Sequence, residues 1–206
     1  MAESGADRMS PLVYGVIRIL LTTPLTLLYR IRIEGRQNWP RSGPAVIASN
    51  HASNLDPCLV GIAFPGRIRW MSKAELWKVP GLGWLITRLG AFPVRRGEAD
   101  REAIRRAREL LGDGFIVGMF PEGTRQREGS LGEAQAGVGL LAMEPGVPVI
   151  PVRIRGDELV MRGLRPGRPR ITITVGRPVD VDAAGLPRGR AHREAGNRIM
   201  RAIGEL

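Results

Sequence analysis

AVIASNHASNLDP, residues 45–57, holds in thirteen positions a strand, a turn and a helix start. Ala45–Ser49 is short, apolar and entered through Gly43-Pro44, as a buried strand should be. Asp56-Pro57 then opens a helix, because Asp is a good N-cap and Pro is tolerated at the first helical position. A strand that ends where a helix begins is the elementary unit of an α/β fold, and the turn between them lies where such folds place their sites.

The same alternation extends in both directions. Strand-like segments are expected at 29–34, 68–72, 92–94, 115–120, 147–154 and 170–175. Helices are expected as two short pieces within 74–89 around Pro80-Gly81, and at 98–111, about 133–143 and about 189–204. The segment 98–111 has the strongest helical period, with Ile104, Ala107, Leu110 and Leu111 on one face. Strands alternating with helices predict a single α/β domain with a central mixed sheet flanked by helices. With 206 residues and no repeat, low-complexity tract or linker, residues 31–206 are expected to form that domain.

Residues 1–30 are set apart as an amphipathic, membrane-associating helical segment. The uncharged run from Ile19 to Tyr29 is bounded by Arg18, Arg30 and Arg32. It falls short of the roughly 20 apolar residues of a spanning helix, and no small-residue cleavage site follows it. Pro24 is expected to kink or break a helix here. An interfacial segment with snorkelling arginines fits this pattern, and a core helix packed on the domain is the alternative.

The chain carries 31 Lys+Arg against 20 Asp+Glu, a formal charge of +11, which favours anionic partners. Aromatic residues are 5% of the chain, and no zinc-ligand or ribonucleoprotein spacing occurs, which argues against nucleic acid. Two histidines, His51 and His192, leave no His-rich metal site. A single cysteine, Cys58, excludes an internal disulfide and suits a reducing, cytosol-facing location.

Two constellations carry chemistry. In the first, His51 is the side chain suited to accept a proton near neutral pH, and Asp56 can orient it if the turn folds back. Taken alone, the two residues are better explained as a loop histidine and a helix cap. Ser53 is a less suitable partner for His51, since adjacent turn side chains seldom align. Cys58, two residues past Asp56, reads as a small packing residue rather than a nucleophile. In the second constellation, Phe120-Pro121-Glu122-Gly123-Thr124-Arg125 leaves a buried strand through a rigid turn. Its Arg125 offers a planar fork for a phosphate, with Thr124 and backbone amides as further donors.

In this order the two blocks resemble those of the glycerolipid acyltransferase family. Asn50, His51 and Asp56 match its first block, and Phe120–Arg125 match its third residue for residue. Lys73-Ala74-Glu75-Leu76 with Pro80 and Gly83 resembles the stretch ahead of the second block. Gly90–Arg96 resembles the second block itself, with Arg95 at its usual aspartate and Arg96 at its arginine. Val147–Val152 resembles the fourth, apolar block. The resemblance covers about residues 30–180. It implies transfer of a fatty acyl group from acyl-CoA or acyl-carrier protein to the free hydroxyl of a lysophospholipid, above all 1-acyl-sn-glycerol-3-phosphate. His51 and Asp56 would be catalytic. Lys73, Arg96 and Arg125 would hold the acceptor's phosphate, and Glu122, Gly123 and Thr124 would shape its pocket. No metal or cofactor is implied beyond the acyl thioester, and the expected place of work is the cytoplasmic face of an anionic membrane. A non-catalytic membrane-binding module would explain the charge and the N-terminus, but not the joint occurrence of the two blocks.

Overall fold

The computed structural model describes residues 9–95, 100–126, 130–156, 170–182 and 185–206. Among the described residues seven strands are formed: β1 (Arg30–Glu34), β2 (Ala45–Ser49), β3 (Ile68–Lys73), β4 (Phe92–Val94), β5 (Ile116–Met119), β6 (Val149–Arg155) and β7 (Arg170–Val175). The helices are α1 (Pro11–Leu28), α2 (Asp56–Ala63), α3 (Leu82–Arg88), α4 (Arg101–Gly112), α5 (Ala136–Ala142) and α6 (Arg188–Glu205), with 3-10 turns at 36–38 and 74–78.

The strands join one sheet in the order β1-β7-β6-β2-β5-β3-β4. All neighbours are parallel except β6 and β7, so the sheet is mixed, as expected. Its centre is buried on both faces. Ala45 to Ala48 of β2 are inaccessible to solvent, which is why this strand reads as an unbroken apolar run. One face carries α1 and α2 over Ile47, Ile150, Ile154, Ile171 and Ile173. The other carries α4, α5 and α6 over Val46, Ala48, Val117 and Val149. Close packing of α5 on α6 depends on Gly139, where a Cβ would lie 1.9 Å from the His192 carbonyl oxygen.

Three details correct the sequence expectations. Helix α1 runs unbroken through Pro24. Proline removes one N–H from the ladder and leaves the Leu20 carbonyl without its usual donor, on a residue that is 61% exposed. The hydroxyls of Thr22 and Thr26 bond back to the carbonyls of Arg18 and Thr22. With Ser10 as N-cap and Pro11 at its start, α1 reaches back well beyond the uncharged run and has the length and composition of a membrane-crossing helix. Arg18, expected to flank the apolar body, instead donates to the Pro65 and Ile62 carbonyls at the end of α2. Finally, Asp56 is not the N-cap of α2. Leu55 holds that position and Asp56 is the first helical residue, because its carboxylate is engaged upstream.

Candidate active site

Parallel pairing gathers the motifs. β2, β3, β4, β5 and β6 all point the same way, so the segments that follow β2, β3, β4 and β5 emerge at one edge of the sheet. His51 follows β2, Lys73 ends β3, Arg95 follows β4, and Glu122–Arg125 follows β5. Arg96 lies outside the described residues.

The turn after β2 folds back on itself. Asp56 Oδ2 lies 2.8 Å from His51 Nδ1 and also accepts the backbone N–H groups of Ala52 and Ser53, each at 2.8 Å. An oxygen collecting these donors acts as a carboxylate acceptor. It therefore fixes the proton on His51 Nδ1 and leaves Nε2 with its lone pair. Asp56 is fully buried, while 7% of His51 is exposed, so only the ring's outer edge can meet a substrate. Ser53 does not pair with His51. Its hydroxyl accepts the Leu55 N–H at 3.1 Å and stabilises the turn.

Two long-range ties hold this turn. Asn50 inserts its amide against β6, donating to the Ile154 carbonyl at 3.0 Å and accepting the Ile154 N–H at 2.7 Å. The side chain thus imitates a further ladder position where β2 has ended. Glu122 supplies the second tie. Its Oε1 accepts the His51 N–H and its Oε2 the Gly132 N–H, both at 2.9 Å. Burial raises the Glu122 pKa, partly offset by these two amides. The Gln126 N–H returns the connection by donating to the His51 carbonyl at 2.8 Å. Glu122 is 1% exposed and ties the backbone of His51 to the loop at Gly132.

Aromatic packing fixes the ring plane. His51 stacks on Phe120 with centroids 4.1 Å apart, and Phe120 stacks on Trp70 at 4.9 Å. Gly118 makes room for this column, since a Cβ there would meet Ile68 and Trp70 atoms at 2.6 Å. Gly123 sits at φ +67°, a conformation L side chains rarely adopt, and a Cβ would press on Gln135 at 2.7 Å.

The polar rim is open. Thr124 and Arg125 are exposed, as is Lys73, which lies 3.6 Å from Glu75. The Asp100 carboxylate accepts the Arg95 N–H at 2.7 Å. Cys58 packs partly buried against the apolar cluster under α2. Burial, reinforced by Asp56, pushes its thiol pKa up, the opposite of what an activated nucleophile needs. No group of three or more His, Cys, Asp or Glu suited to a metal ion occurs among the described residues.

His51 and Asp56 could have been paired from their spacing. The anchoring roles of Asn50 and Glu122, and the Trp70–Phe120 column, could not. Each joins segments that meet only through strand order.

Comparison with known proteins identifies the family and the fold. Residues 30–155 match the family model described as Acyltransferase. The chain is 35% identical over 136 residues to a chloroplastic 1-acyl-sn-glycerol-3-phosphate acyltransferase of Arabidopsis thaliana, an alignment covering 65% of this chain and 38% of that protein. It is 29% identical over 165 residues to the 1-acyl-sn-glycerol-3-phosphate acyltransferase of Bacillus subtilis, covering 79% of this chain and 81% of that one. The crystal structure of the 1-acyl-sn-glycerophosphate acyltransferase of Thermotoga maritima superposes with a TM-score of 0.72 at 24% identity, over 93% of this chain and 78% of that one. The fold is therefore shared with that structure, and by the span and order of the matched blocks the chain belongs to the Acyltransferase family.

Proposed function

We propose that this protein is an O-acyltransferase that moves a fatty acyl group from a thioester, acyl-CoA or acyl-carrier protein, to the free hydroxyl of 1-acyl-sn-glycerol-3-phosphate, giving phosphatidic acid. The observation that carries the reading is the buried Asp56 carboxylate bonded at 2.8 Å to the Nδ1 side of His51 within the family's first block. The names of the relatives from Arabidopsis thaliana and Bacillus subtilis support the acceptor.

The proposed mechanism uses this geometry. His51 Nε2 takes the proton from the acceptor hydroxyl as the oxygen attacks the thioester carbonyl carbon. The C–O bond forms, the C–S bond breaks, and the thiolate leaves with the proton returned from His51. Asp56 holds the imidazole tautomer and stabilises the imidazolium that forms. Arg125 and Lys73, with Arg96, supply cations for the acceptor's phosphate, while Thr124 and the Gly123 turn add polar shape. Cys58 takes no part. The chemistry is completed by the side chains and the two substrates, and its proposed place is the cytoplasmic face of an anionic membrane, a reading that the apolar helix α1 supports.

The test is turnover of lysophosphatidic acid with each donor by the wild-type protein and by His51→Ala. Loss of a positioned general base lowers the rate roughly 10²–10⁴-fold. A variant that stays close to wild type removes His51 from the mechanism. A panel of other lysolipids in the same assay identifies the acceptor.

A further inference from the structure

Three aromatic rings from neighbouring strands form a stack that ends on the proposed base. β2, β5 and β3 lie side by side in the sheet. His51 follows β2, Phe120 follows β5 and Trp70 lies within β3. The Phe120 ring is 4.1 Å from that of His51 at an interplanar angle of 20°, and 4.9 Å from that of Trp70 at 9°. One phenyl face has no room for two rings at such distances in near-parallel planes. Imidazole and indole therefore take opposite faces of Phe120.

The sheet is built to allow this. Trp70 is in register with Gly118, where a Cβ would meet the indole atoms Cε3 and Cζ3 at 2.6 and 2.7 Å. The indole thus lies flat over a strand position left without a side chain, although glycine inside a strand weakens it. Apolar packing alone does not ask for parallel rings. In the same core cluster Trp39 meets Phe64 edge to face, at 61°.

A parallel phenyl ring acts differently on the two forms of the base. When His51 Nε2 takes the proton of the acceptor hydroxyl, the ring becomes an imidazolium with both nitrogens protonated. His51 is 7% exposed, so water solvates little of that charge. The phenyl face carries the negative side of the ring's quadrupole and attracts a cation placed over it, most strongly in a desolvated site. Neutral imidazole gains chiefly dispersion from the same contact. The contact is therefore stronger in the transition state than in the ground state, which is the condition for lowering a barrier.

Other groups set the background against which the rings act. Asp56 on α2 lies 2.8 Å from Nδ1, and Glu122 on the turn after β5 accepts the His51 N–H at 2.9 Å. Cys58, also on α2, has a thiol pKa raised by burial. On β3, Arg69 alternates to the other face of the sheet, with its guanidinium 4.4 Å over Phe115. Lys73 and Arg125 are exposed at the rim.

We propose that Phe120 and Trp70 are positioning residues that act on the base through charge as well as shape: Phe120 presents its face to the imidazolium of His51, and Trp70 holds that face parallel. The proposal rests on the reading of His51 as the general base.

The test replaces Phe120 with mono-, di- and trifluorinated phenylalanine, which keep the ring and progressively drain negative charge from its face. Phe120→Leu, Trp70→Leu and Trp70→Phe are compared with them. His51 and His192 are the two histidines of the chain, so NMR across pH follows two imidazoles. His51→Ala assigns them, and His192 on α6 serves as the control within the molecule. In the fluorinated series the titration midpoint of His51 should fall stepwise with fluorine number, by up to about one pH unit, while that of His192 stays in place. The kcat for lysophosphatidic acid should fall in step, by up to about 10-fold, with KM within about twofold of wild type. Trp70→Leu should move both quantities in the same direction, and Trp70→Phe should move them less. A His51 midpoint and a kcat that stay level across the fluorinated series overturn the proposal, because that series leaves the packing in place even where a leucine variant does not fold. A midpoint that rises with fluorine number overturns it as well. Wild-type protein that turns over no acceptor while its His51 midpoint steps down defeats the general-base reading and leaves the stacked rings as stabilisers of the imidazolium. Normal wild-type turnover with a level series does the reverse.

Discussion

Glu122→Gln isolates the tie between the two motif loops. The wild-type carboxylate accepts the His51 N–H on one oxygen and the Gly132 N–H on the other. Glutamine keeps the shape but has one oxygen, so its NH₂ must face an N–H donor. One charge-assisted bond, on the order of 1.5–3 kcal/mol, is lost. Burial has raised the Glu122 pKa, so relief of a desolvated charge returns part of that. A net loss of about 1–2 kcal/mol is expected, which for a chain of this size lowers the melting temperature by roughly 2–8 °C. The pH dependence has a definite sign. A carboxylate whose folded pKa lies above its unfolded value contributes most below the unfolded value, about 4.3, and less as pH rises through the folded one. The stability gap between wild type and Glu122→Gln should therefore narrow from acid to neutral pH. Because glutamine's oxygen is best used on the more buried His51 amide, kcat should fall modestly, about 3- to 30-fold, with KM nearly unchanged. The assay is thermal melting across pH alongside steady-state kinetics with lysophosphatidic acid. Wild-type kcat together with an unchanged melting temperature would refute the claim that Glu122 positions the base.

Asp56→Asn should lower kcat by roughly 10²–10⁴ with a small change in KM, because the neutral amide no longer fixes the His51 tautomer; steady-state kinetics checks it. Gly118→Ala forces a methyl into Ile68 and Trp70 at 2.6 Å and should destabilise by about 1–3 kcal/mol, measured by urea unfolding, with a shift in Trp70 emission. Arg125→Ala should raise the KM for a phosphate-bearing acceptor by about 10- to 100-fold, with Arg125→Lys in between, since a point charge replaces a fork. Cys58 should react with iodoacetamide more slowly than a free thiol at pH 8, and Cys58→Ala should retain activity; a fast reaction that abolishes turnover would contradict its packing role.

Local patterns in the chain carried much of this arrangement. The strand at 45–49 was readable because both faces are buried and the run is apolar, and α4 because its apolar stripe faces the sheet. The His51–Asp56 pair was readable because five residues suffice for a turn to close. Asp56 was misassigned as a helix cap for the same local reason: capping rules describe amides ahead in the helix, and its carboxylate serves amides behind it. Pro24 neither kinks nor breaks α1 as its sequence context suggests, since one missing bond on an exposed stretch does not end a helix of 18 residues. Asn50 against Ile154 and Glu122 against His51 were hidden because no local rule says which strands become neighbours.

The bond from the His51 amide to Glu122 spans 71 residues of chain, and that from Asn50 to β6 spans 104. The first cannot close until β5 has docked on β2, nor the second until β6 has, and these strands arrive later in the sequence and from opposite sides. Loop closure over such lengths is slow, and parallel pairing of this kind places a protein among the slower folders. The geometry of the proposed catalytic pair is thus expected to form late in folding. A chain that has formed its helices and part of its sheet would show nearly full circular dichroism with no turnover. Recovery of acyl transfer after dilution from denaturant should consequently lag behind the return of secondary structure, and the lag would time the docking of β5 and β6 on β2.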